Sequence, residues 1–256
     1  MRQLPEDVLF LIVKQLQQLH RQDHPKNTPL WHQPKLSQYA GINRTFNAII
    51  ERETFQHVHV YSEALTAPCL SPGEQGNHPV HSTTPARFKQ MMNRDPDRRR
   101  AILRRVSFLA SYEFPLDSDE ARSEAGEAAN NQHFSKSIRQ FWEVVEGLEK
   151  PGQRKFILEF DSLSVSPPVF DSGHHPGRKS HLHLIGNMLP QLSCVSGFEF
   201  RRGLRIWPSS LLQIMASMES LTRADLRFDN TIEDPEQRRQ YRKGRHISVI
   251  RSAKTH

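Results

Sequence analysis

The chain is 256 residues long, carries a formal net charge of +7 with histidine neutral, and is 36% hydrophobic. This length allows one substantial core or a small module beside a larger domain, and the low apolar content predicts long exposed loops rather than one dense globule. Apolar runs stay well short of the roughly 18 residues of a membrane span, and Cys69 and Cys194 are too far apart for metal-ligand spacing, so they read as reduced intracellular thiols.

The chain opens on a helix rather than on a targeting segment. Residues 4–19 predict a helix with more apolar surface than one packing contact uses. Pro5 suits the first helical turn, where a missing N–H costs nothing, and Glu6 and Asp7 suit the positive end of the helix dipole. On a helical wheel Val8, Leu19, Ile12, Leu16, Leu9 and Val13 fill an arc of about 140°, wider than the stripe of about 100° on an ordinary surface helix. Leu11 and Phe10 fall outside it. A helix sandwiched in its own core would use such an arc, and so would a helix that meets a second protein. The short helix has few neighbours of its own, which favours the second explanation.

A polar insert at 21–35 follows, with Pro25, Pro29 and Pro34. Leu36, Tyr39, Ala40, Phe46, Ile49 and Ile50 then recur at helical spacing, with Gly41 as a break between two short helices. The order is a Leu4-Pro5 opening, an apolar helix, Tyr39-Ala40, the apolar Ile42, the basic-x-aromatic Arg44-Thr45-Phe46, and Ile50-Glu51-Arg52-Glu53-Thr54-Phe55. It resembles the F-box, in the version found in proteins of filamentous fungi, over about residues 2–60.

The resemblance implies a helical hook that binds the Skp-type adaptor of a cullin–RING ubiquitin ligase, in the cytoplasm and/or nucleus, while the rest of the chain holds a protein substrate. Carried over by position, Leu4 and Pro5 open the adaptor contact. Val8, Leu9, Ile12 and Leu16 form the buried faces of the first helix, and Ile42 and Phe46 stand where the family has an apolar residue and usually a Trp. Phe46 keeps an aromatic anchor at that place. The long insert between the helices departs from the pattern.

Val58 and Val60 alternate with His57 and His59 and predict a short strand at 54–60. Residues 62–97 read as a linker or long loop, marked by Pro68, Pro72, Gly73, Gly76, Pro79 and Pro85. The domain division is therefore a helical module with its trailing strand at 1–61, a linker at 62–97 and a third region at 98–256.

In that third region 105–110 predicts a strand and the Glu-, Asp- and Ala-rich 111–129 a loop. Phe134, Ile138, Phe141, Trp142, Val145 and Leu148 mark an amphipathic helix entered near Asn131 and stopped by Pro151-Gly152. A strand at 156–160, a loop through Ser166-Pro167-Pro168 to Arg178, a helical segment at 182–189 and a strand at 195–200 follow. Pro208, Leu211, Leu212, Met215 and Met218 mark a last helix before a strand at 224–228.

Strands alternating with helices predict parallel βα units. Leu221-x-x-Ala224-x-Leu226-x-Phe228-x-Asn230 approaches a leucine-rich-repeat strand, with its Asn one place late. Spacings of about 50, 40 and 28 residues between strands are irregular for a repeat array. The expected fold class is α+β: a small all-helical F-box followed by an irregular βα, leucine-rich-repeat-like domain, with an open α/β sheet as the competing architecture. After the basic run at 235–243, the β-prone 247–250 either pairs beside the strand at 224–228 or marks a truncated chain. The reading favours truncation.

Catalytic signatures are missing: no phosphate loop, Gly-x-Gly-x-x-Gly, Gly-x-Ser-x-Gly or His-Glu-x-x-His occurs. His57 with His59, and His181 with His183, have the spacing that puts two imidazoles on one strand face. Neither pair has a Cys or carboxylate near it in sequence, and His174-His175 lies in a Pro/Gly loop, so neither metal nor cofactor is expected. Asp161, Asp171, Asp225 and Asp229 stand at or beyond predicted strand ends without a second catalytic element, and Asp117-Ser118-Asp119-Glu120 reads as a solvated loop.

Basic clusters at 98–100, 104–105, 201–202 and 238–245, the last with Tyr241, would suit nucleic acid, but no nucleic-acid-binding motif accompanies them and solvated helix faces explain them better. The leading expectation is a non-catalytic substrate-recognition subunit of an intracellular Skp–cullin–F-box ligase, with no membrane partner. The alternatives are an F-box scaffold outside the ligase and a basic nucleic-acid-associated protein. Salt separates these, because phosphate binding weakens steeply with ionic strength and apolar docking does not.

Overall fold

In a computed structural model of the protein, described for residues 5–22, 44–62, 82–110, 112–114, 119–150, 152, 154–161, 181–200, 205–226 and 239, every strand pairs in parallel. The six strands are β1 (His57–Tyr61), β2 (Ser82–Thr83), β3 (Arg105–Leu109), β4 (Phe156–Asp161), β5 (Val195–Phe200) and β6 (Arg223–Leu226). Their order across the sheet is β2-β1-β3-β4-β5-β6, so from β1 through β6 the chain steps steadily to one side, with β2 set on the opposite edge. The architecture is mixed helix and strand around a parallel sheet.

Period-two alternation decides which face is sealed. Val58, Val60, Val106, Phe108, Leu158, Phe160, Phe198 and Phe200 are all buried on one face, in a single cluster with residues of three helices. These helices are α3 (Pro85–Arg94), α6 (Glu124–Glu146) and α7 (Pro208–Ala216). The centre is aromatic: Phe108 stacks on Phe141 with centroids 4.1 Å apart, and Phe160 meets Trp142 edge-on at 5.9 Å. The Trp142 indole N–H donates to Ser217 Oγ at 2.9 Å, so the largest buried ring has its polar atom satisfied. Removing one such ring is worth about 3–5 kcal/mol.

Helix α6 carries the predicted stripe, with Phe134, Ile138, Phe141, Trp142 and Val145 all buried. It begins seven residues earlier than Asn131, at Glu124, and α5 (Asp119–Arg122) precedes it. Residues 119–129 are therefore helical for the most part rather than a loop. Ser123 caps α6 by accepting from the Gly126 N–H at 3.0 Å, and Glu124 and Glu127 face the positive end of the dipole. Gly126 is required there, because a Cβ would lie 1.8 Å from the Glu120 carbonyl oxygen.

The linker reading of 62–97 also needs correction where the chain is described. Residues 82–97 hold β2, α3 and the start of α4 (Pro96–Ile102), and Phe88 and Met92 are fully buried in the main core. Thr84 accepts from the Arg87 N–H and Pro85 occupies the first turn, so this proline opens a helix rather than marking a loop. Residues 63–81 lie outside the described residues. β1 is an internal strand between β2 and β3, and the chain passes from the helix α2 (Arg44–Phe55) through Gln56 into the sheet. The Gln56 carbonyl accepts from the N–H groups of Arg104 and Arg105, fixing that junction.

The segment predicted as a helix at 182–189 is instead an irregular strap, with a parallel bridge from Leu182 to Ile206. Leu182 and Leu184 enter the core while His183 and Ile185 alternate outward, a strand-like period. Side chains of α6 satisfy its backbone. Asn131 Oδ1 accepts from the His183 N–H at 2.7 Å and Ser135 Oγ from the Ile185 N–H at 2.8 Å, while Arg139 donates to the carbonyls of Ile185 and Asn187. Gly186 has φ +93°, in the left-handed region that glycine tolerates. The last predicted strand is observed as β6 at Arg223–Leu226; residues 227–238 and 240–256, including 247–250, lie outside the described residues.

Candidate interaction site

Helix α1 (Glu6–Gln22) packs on α2 through a small core of its own. Leu9 and Val13, one turn apart, meet Phe46, Ile49 and Ile50, with Phe10 and Leu16 against the edge of this cluster. Two cations approach the Phe10 ring, Lys14 at 5.3 Å and Arg52 at 5.4 Å from its centroid. Lys14 Nζ reaches Glu53 at 2.5 Å and Arg52 reaches Glu6 at 3.7 Å, so the last turn of α2 is bridged to the start and the middle of α1. Phe10, outside the apolar arc on the wheel, thus joins the packing face.

That rotation of the packing face leaves the other flank of the arc outward. Leu11 is 63% exposed and Ile12 38%, with Pro5 exposed and Val8 half-buried beside them. Of the residues carried over from the F-box pattern, Pro5, Val8 and Ile12 lie on the accessible side. Leu9 and Phe46 are inside the helix pair, at 6% and 3% exposure, where they hold α1 to α2, and Leu16 is half-buried against the same cluster. Leu4 and Ile42 lie outside the described residues. Leu11 was missed from sequence because it sits apart from the apolar arc; its exposure follows from the direction in which α1 packs.

Helix α2 is tied to α4 by charge. Glu51 of α2 receives Arg98 at 2.8 Å and Arg99 at 3.1 Å, and the Arg99 guanidinium lies 4.5 Å from the Phe55 ring centroid. Arg100 is only 6% exposed. The basic cluster at 98–100 is therefore largely engaged with the protein itself rather than arrayed towards a phosphate backbone. The clusters at 201–202 and 238–245 lie outside the described residues except for Arg239.

A second polar array lies on the sheet face opposite the aromatic core. Register aligns His59, Ser107, Glu159, Glu199 and Asp225 in one row across β1, β3, β4, β5 and β6, and His57, Arg105, Ile157, Gly197 and Arg223 in the next. Arg105 pairs with Glu159 at 3.1 Å and with both carboxylate oxygens of Glu199, at 2.5 and 3.0 Å. These Glu199 hydrogen bonds hold the Arg105 pKa above its ordinary value against the opposing effect of burial, with Glu159 adding to the rise.

Ser107 donates to Glu159 Oε2 at 3.1 Å and lies 2.6 Å from His57 Nε2. With its one hydrogen given to Glu159, Ser107 accepts from His57. The carboxylate thus holds the hydroxyl rather than orienting the imidazole, and Ser107 and Glu159 are each 1% exposed. The arrangement ties strands together and is not that of an activated serine nucleophile.

His57 and His59 share a face with ring centroids 4.4 Å apart, while His181 and His183 both flank Trp207. Among the described residues no group of three or more His, Cys, Asp or Glu is placed to hold a metal ion. Asp225 lies within β6 and Asp161 ends β4; Asp171 and Asp229 lie outside the described residues. Cys194 is buried, and desolvation, reinforced by Glu149, pushes its thiol pKa strongly upward. No described helix is long and apolar enough to cross a membrane.

Comparison of the chain with protein-family models, with curated proteins and with solved structures finds no match in any of the three.

Proposed function

We propose that this protein is a non-catalytic recognition subunit of a Skp–cullin–F-box ubiquitin ligase, docking on the adaptor through α1 and presenting a protein substrate from its sheet-bearing region. The observation that carries this reading is the apolar flank of α1, Leu11 and Ile12, left outward after Leu9 and Val13 have packed on α2. The order of residues around Leu4-Pro5 and Arg44-Thr45-Phe46 gives that flank its F-box interpretation.

The steady succession of β1, β3, β4, β5 and β6, with α3, α6 and α7 sharing one core, supports a leucine-rich-repeat-like arrangement for the remainder. The pinning of α2 by Arg98 and Arg99, and its continuation into β1, supports a fixed geometry between adaptor site and sheet. The mechanism is proximity: a substrate lysine held near a charged conjugating enzyme reacts at raised effective concentration, and this chain performs no bond-making step.

Affinity purification of the full chain from its native cell, with identification of the co-eluting proteins, tests the reading. An adaptor together with a cullin supports it. An adaptor without a cullin supports an F-box scaffold instead, and absence of both overturns the F-box interpretation.

A further inference from the structure

We draw no further inference here: the strongest candidate, the apolar tip of the strap on α6 where Ile185 is 45% and Met188 89% exposed, has nothing in the structure to show what covers it.

Discussion

The Arg105 guanidinium, on β3, reaches across β4 to hold both carboxylate oxygens of Glu199 on β5, and on the way it binds Glu159 of the intervening strand. Neighbouring strands place Glu159 and Glu199 side by side, where two carboxylates repel. Arg105 turns this repulsion into a three-strand clasp, and its fork geometry is what lets one cation serve both partners.

Arg105→Met should therefore destabilise the protein by about 3–5 kcal/mol, because it leaves Glu159 buried without its cation. Urea denaturation measures this. Arg105→Met combined with Glu159→Gln and Glu199→Gln should recover a large part of the loss by removing the stranded charges. A single variant within 1 kcal/mol of wild type, as an order of magnitude for an exposed pair, would mean that the clasp is solvated and weak.

This clasp was invisible in the sequence, since Arg105 and Glu199 are 94 residues apart. What was legible followed a local period. Val58 and Val60, or Val106 and Phe108, reveal strands by alternation, and the Phe134 to Val145 stripe reveals the second half of α6. The first half of that helix bears Ala125, Ala128 and Ala129, which give no large apolar stripe, so its Ser123 cap and acidic first turn were the only signals. Pro85 misled because proline marks both linkers and helix starts; Thr84 before it and Phe88 and Met92 after it distinguish the two. At the candidate site, the apolar surplus of α1 was legible. The division between inward Leu9 and outward Ile12 was not, because it depends on where α2 lies.

The strap on α6 offers a local test. Ser135→Ala removes the acceptor for the Ile185 N–H and should cost about 1 kcal/mol or somewhat more, with faster amide exchange concentrated at Ile185. Arg139→Ala should loosen 185–187 in the same way. Unchanged exchange at Ile185 in the Ser135→Ala protein would show that Leu182 and Leu184 hold the strap without help from the ladder.

Cys194 gives a pH-dependent prediction. Its folded-state pKa is raised, so the native protein keeps the thiol proton at pH values where the unfolded chain has released it. The unfolded state is then favoured as pH rises above the ordinary thiol pKa of about 8.5, and stability falls by up to about 1.4 kcal/mol per pH unit from this group. In a Cys69→Ser background, Cys194 should resist alkylation at pH 8 when native and react readily in urea. A Cys194→Ala partner should show a shallower alkaline decline. Rapid native alkylation would contradict the buried, protonated thiol.

The two flanks of α1 should respond differently to the same substitution. Val13 is fully buried against Phe46, Ile49 and Ile50, so Val13→Asp places an unpaired carboxylate in an apolar cluster and should cost several kcal/mol, about 3 or more. Ile12 is 38% exposed, so Ile12→Asp should leave stability within about 1 kcal/mol of wild type. On the proposed function it should nevertheless reduce adaptor capture by at least about tenfold, since docking buries that side chain and an isolated carboxylate in an interface has no partner. Measuring thermal stability beside adaptor binding separates the two effects. Adaptor binding at wild-type affinity by a folded Ile12→Asp protein would remove α1 as the docking surface. If Ile12→Asp unfolds instead, the outward flank is packed and the surplus that motivates the proposal does not exist.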